Sequence, residues 1–102
     1  MAIDLTSVRK FPHFKVFSAD VNANEIILPS QCTKVTVGSV ANAIWVGQND
    51  CTDGQTMPSD KFFVPANNGY PVKLGRGNSR ATSILVASQS GSATIYIALE
   101  ET

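Results

Sequence analysis

Apolar residues recur at every second position along most of this chain, and Pro, Gly or Asn interrupts the alternation roughly every 8–12 residues. A repeat of two is the side-chain period of a β-strand, because successive Cβ atoms point to opposite faces of a sheet. No stretch of about ten residues carries the 3.6-residue period of an amphipathic helix. Asp4 to Lys10 could form one helical turn, which Pro12 would end. The pattern predicts strands over 13–18, 25–28, 33–40, 43–47, 61–64, 70–74, 82–87 and 93–99. Pro29 and Pro65 stop two of them, since proline has no N–H to give a ladder. Asn67-Asn68-Gly69 reads as a turn, because Asn and Gly tolerate positive φ.

The last two predicted strands are the clearest. Ile84, Leu85 and Val86 form a β-branched and aliphatic run. After Ser88-Gln89-Ser90-Gly91-Ser92, the residues Ala93, Ile95, Ile97 and Leu99 face one way, and Thr94, Tyr96 and Ala98 face the other. This reads as a terminal hairpin with one buried face. The chain has 102 residues, enough for one domain and not two. The fold class expected is all-β: a small antiparallel β-sandwich or jelly-roll-like barrel of about seven or eight short strands. Residues 13–102 would form it, with residues 1–12 as an N-terminal arm.

Composition excludes several classes of chemistry. Eight Lys and Arg balance eight Asp and Glu, so the basic excess of a general nucleic-acid binder is missing. No apolar run approaches the roughly 20 residues that span a bilayer. Residues 1–10 hold no apolar signal-peptide core, so the expectation is synthesis in the cytoplasm. The chain has one histidine, His13, and two cysteines, Cys32 and Cys51, too few and too scattered for a structural zinc site. The cysteines are expected as reduced thiols. No glycine-rich phosphate loop is present, and His13 sits in an apolar setting with no nucleophile signature beside it. The expectation is therefore no enzyme, no cofactor and no metal.

Four segments carry candidate binding chemistry. Arg9, Lys10 and Phe11 combine cations with an aromatic in a segment where three cations up to residue 17 face Asp4 alone. Such a segment suits an acidic, partly apolar partner surface. Arg76 and Arg80 share the loop Gly75–Arg80, which could hold a carboxylate, phosphate or sulfate. Asn49-Asp50-Cys51-Thr52-Asp53-Gly54 resembles a calcium loop in composition, but it misses the ligand spacing and reads as an Asp-Gly turn. Trp45, Tyr70 and Tyr96, with Asn67 and Asn78, could form a sugar-stacking platform, although single aromatics in strands more often pack in a core. The outward positions hold Ser, Thr, Asn, Gln and Ala in place of Lys and Glu, and no charge stands between Arg80 and Glu100. Strand edges without charge invite pairing with another chain, so the pattern favours assembly.

The whole runs Glu25-Ile26-Ile27-Leu28-Pro29, Lys34-Val35-Thr36-Val37, Ile44-Trp45-Val46-Gly47, Phe62-Phe63-Val64-Pro65-Ala66, Ile84-Leu85-Val86-Ala87-Ser88 and Ala93-Thr94-Ile95-Tyr96-Ile97. Over residues 13–99 it resembles the small β-sandwich virion proteins of tailed bacteriophages. The resemblance rests on strand order and turn residues, with no diagnostic motif. It implies a non-enzymatic role on the particle: a capsid decoration (cement) protein contacting the major capsid protein, or a tail or fibre adaptor. It also implies a homotrimer or another symmetric oligomer, located in the virion. A carbohydrate- or receptor-binding module is the alternative. No nucleic acid and no membrane partner is expected.

Overall fold

The computed structural model describes residues 2–101. It contains nine strands: β1 (Ile3–Asp4), β2 (His13–Ala19), β3 (Asn24–Ile27), β4 (Lys34–Ser39), β5 (Ile44–Gln48), β6 (Phe62–Val64), β7 (Asn68–Lys73), β8 (Ser83–Ser88) and β9 (Ala93–Glu100). A single 3-10 turn, Gly77–Ser79, lies between β7 and β8. Among the described residues no helix is long and apolar enough to cross a membrane. Two sheets pack face to face, with strand orders β1-β3-β8-β5-β6 and β2-β9-β4-β7. From β2 onward the chain changes sheet at almost every step, and β2–β9 have the strand order of an eight-stranded jelly roll.

The alternation in the sequence sorts side chains between the core and the outside. Val35, Val37, Ile95, Ile97 and Leu99 from one sheet meet Ile26, Ile44, Val46, Ile84 and Val86 from the other. Most are fully buried, and each such aliphatic contributes about 1.5–3 kcal/mol of transfer free energy. On the β6–β7 side, the rings of Phe62 and Tyr70 stack at 4.2 Å across the gap between the sheets.

Three expectations are corrected. First, 82–87 and 93–99 do not form a hairpin. β8 pairs with β3 and β5, while β9 pairs with β2 and β4 in the opposite sheet. Each is flanked on both sides, so the uncharged stretch lies at the centre of the sandwich and not at an edge. The true edges are guarded. β1 and β6 are very short, β2 carries the exposed Lys15 on its inward side, and β7 contains Pro71 and Lys73.

Second, the turn signal at residues 67–69 is a crossing between sheets. β6 and β7 belong to different sheets, and Asn67, at φ 64°, starts the turn into β7. Third, residues 1–12 are not wholly a free arm. β1 pairs in parallel with β3, and the Leu5 amide donates to the Ile27 carbonyl at 2.9 Å. Leu5 is buried, and Ile3, Val8 and Phe11 pack on the core. These apolar residues drive the segment onto the otherwise open edge of β3.

Candidate functional site

The charged residues are segregated. β1, β3, β5 and β9 end, and β2, β4, β6 and β8 begin, at one pole of the sandwich, because the pairings are antiparallel apart from β1 with β3. Every Lys and Arg lies in a connection at this pole or within three residues of it along a strand. The opposite pole is built from connections 20–23, 40–43, 65–67 and 89–92, where Asp20 is the sole charge.

The five residues singled out as partner-binding, Arg9, Lys10, Phe11, Arg76 and Arg80, all fall at the charged pole. Their roles differ. The Arg9 guanidinium donates to the Thr6 and Val8 carbonyls, which braces its own turn. Arg80 donates to the Cys32 carbonyl at 2.9 Å and so ties the loop after β7 to the loop before β4. Phe11 is half-buried against the core and borders a cleft with Pro12, Glu100 and Glu101. Lys10 and Arg76 are exposed, and Arg76 lines a second cleft with Lys34 and Lys73. Lys34 also pairs with Glu100 at 3.7 Å. His13 opens β2 opposite Leu99.

The calcium-like loop has a structural task. Residues 49–60 fold back over the outer face of the β1-β3-β8-β5-β6 sheet. Asp53 Oδ1 accepts the Glu25 amide at 2.8 Å, just beyond the point where β1 stops pairing with β3. Backbone bonds join Ala23 to Gln55 and Gly54 to Ala23, each at 2.7 Å. Beneath the loop, Met57 closes a second small core of Ala23, Leu85 and Ala87, with Trp45 and Cys51 packed on it. Gly47 has no side chain where the lid descends: a Cβ there would stand 3.4 Å from the Met57 methyl carbon. The loop oxygens are thus engaged, and among the described residues no cluster of three or more His, Cys, Asp or Glu could hold a metal ion.

The proposed aromatic platform does not assemble. Trp45 lies on the covered face, edge-on to Phe63 at 5.2 Å and with the Lys61 ammonium 4.7 Å from its ring centre. Tyr70 stacks on Phe62 at a side of the sandwich. Tyr96 projects from the outer face of the other sheet. Cys32 and Cys51 are free thiols. Burial pushes the Cys32 thiol above its ordinary range, with opposing hydrogen bonds from its surroundings.

That other outer face is bare. Among the described residues no segment folds over β2-β9-β4-β7. Phe14 is 70% exposed and Tyr96 46%, with Val16 and Val40 also exposed. Between Phe14 and Tyr96 on one side and Val40, Asn67 and Asn68 on the other lies a depression of 420 Å³, floored in part by Gly38 and Gly69. Gly38 is required there, since a Cβ would stand 2.8 Å from the Asn68 carbonyl oxygen. No charged residue lines the depression.

No family model, curated protein or solved structure matches this chain. The candidate surfaces therefore rest on geometry: a charged pole and a bare neutral face. The alternation puts Phe14 and Val16 on one strand face, but the sequence reads Phe14 and Phe17 as core residues; Phe17 packs on the core, whereas Phe14 points outward from β2 and is exposed. The depression was not legible, because it depends on Gly38 and Gly69 meeting across β4 and β7, residues 31 positions apart that sequence spacing does not pair.

Proposed function

We propose that this protein is a non-enzymatic structural protein of a tailed-bacteriophage particle, a capsid decoration protein that stabilises the shell by binding the major capsid protein as a symmetric oligomer. The observation that carries the reading is the segregation of charge, with Arg9, Lys10, Phe11, Arg76 and Arg80 at one pole and beside it a bare sheet face whose depression no charged residue lines. A cement protein needs two kinds of surface, one for the shell and one for its neighbours. Guarded edges with an open face suit lateral packing without runaway strand addition. A ligand that binds only the assembled shell stabilises it by mass action. The jelly-roll topology, used by viral capsid and lectin domains alike, adds fold-level analogy only.

The test is incorporation. The chain should be found in purified particles of the virus that encodes it. The charge reversals Lys10→Glu and Arg76→Glu together should abolish rebinding to stripped particles while the circular-dichroism spectrum stays unchanged. Undiminished rebinding of the double variant would remove the charged pole from the account. A second reading, a carbohydrate-binding module, draws on the exposed Tyr96 ring beside the Asn67 and Asn68 side chains at the depression. Saccharide-array binding that Tyr96→Ala removes would favour it.

A further inference from the structure

The bare face is asymmetric in a way that fits a second copy of itself. Its outward residues fall into two halves. The β2–β9 half carries the bulk: Phe14, Val16 and Tyr96. The β4–β7 half carries Thr36, Pro71 and, at its hollow, Gly38 and Gly69. Register fixes the rows. Val16, Tyr96, Gly38 and Gly69 stand side by side across the four strands, and so do Phe14, Ala98, Thr36 and Pro71.

We infer that two copies pack these faces together about a two-fold axis that runs along the strands between β9 and β4. The operation sets β2 of each copy over β7 of the other, and β9 over β4. Val16 and Tyr96 of each copy then lie over Gly69 and Gly38 of its mate, bulk over hollow, twice, with Phe14 over Pro71. This is the self-complementarity that an isologous interface demands. The charges agree as well. The face has one charged row at its rim, Glu100 on β9, Lys34 on β4 and Lys73 on β7, and Lys73 falls over the neutral β2 end of the mate. The same rotation brings Glu100 of each copy over Lys34 of the other, and within the depression no like charges meet. Stacked sheets with nearly aligned strands are a standard packing mode, about 10 Å apart.

The inference deepens the reading above by naming the occupant of the neutral face, and its test needs no virus particle. The face spans four strands of about six residues, so the pairing belongs to the weaker, concentration-dependent class of interfaces. Sedimentation equilibrium of the full chain up to about 1 mM should show a monomer–dimer equilibrium. Val16→Ser removes the bulk, and Gly69→Val fills the hollow; each should weaken dimerisation about tenfold or more without lowering the melting temperature materially. The decisive arm mixes the two variants. The hollow of the Val16→Ser copy still accepts the Val16 of the Gly69→Val copy, so the mixture should form heterodimers more tightly than either variant pairs with itself. A chain that remains monomeric at about 1 mM overturns the inference, as does equal behaviour of the mixture and the separate variants. Saccharide binding at the face by a monomeric chain also overturns it. None of these outcomes alters the particle-rebinding result, which reads the charged pole.

Discussion

The two outer faces of the sandwich start from similar strands and end differently. On one, Leu85 and Ala87 point outward from β8 and are fully buried, because residues 49–60 return over them and are pinned by Asp53 and the Ala23 backbone. On the other, Phe14, Val16 and Tyr96 point outward and stay in water. The chain spends the thirteen-residue β5–β6 connection on covering one face; the β4–β5 and β8–β9 connections, four residues each, are too short to cover the other. Exposed apolar area that a chain leaves uncovered marks an interaction surface more often than exposed single side chains do. The contrast separates a face that serves folding from a face available for binding.

The sharpest way to break the comparison is to truncate one residue on each face. Leu85→Ala should cost about 3 kcal/mol in urea denaturation, through lost transfer free energy and a cavity under the lid. Tyr96→Thr, on the face that no described segment covers, should change stability by no more than about 0.5 kcal/mol. Equal effects would erase the distinction between covered and bare.

Next in size is the N-terminal segment. Leu5→Ala should cost about 2 kcal/mol, because Leu5 closes the core beside β3. Removal of residues 1–10 should therefore lower the melting temperature as well as any binding, where a free arm would leave the temperature unchanged. Asp53→Ala should cost about 1 kcal/mol by releasing the Glu25 amide, and hydrogen exchange should quicken at Glu25 and Gly54 before it does in β9.

Ser39 offers a change of opposite sign. Its hydroxyl is buried with no hydrogen-bond partner, on the inward side of β4 opposite Ile95. Ser39→Ala should stabilise by about 0.5–1 kcal/mol. The smallest effect is at Asp4. Its side chain accepts bonds from the Thr6 hydroxyl and amide, at 2.7 and 2.9 Å, which hold its carboxyl below the ordinary value of 3.8. A carboxylate lowered in the folded state adds stability above its unfolded pKa and loses it as pH falls through the folded one. A nuclear magnetic resonance titration should thus show the Thr6 amide moving with a midpoint under 3.8, and Asp4→Asn should abolish that movement.

The sequence by itself determined the strands. Period two is a local property, set by alternate Cβ directions, so eight of the nine elements lie within about two residues of where the alternation placed them. It determined the class of the core as well, since Val35, Val37, Ile95, Ile97 and Leu99 could face only one way together. Two-residue β1 was not legible, because so short a strand has no period to read. Tertiary structure decided the pairing. β8 and β9 looked like a hairpin, yet each found two partners in a separate sheet, where both could be flanked and their apolar faces closed against each other. It also decided which outward residues are covered. Leu85 and Tyr96 are both strand residues facing away from the core, and only the path of residues 49–60 through space buries the first and leaves the second exposed.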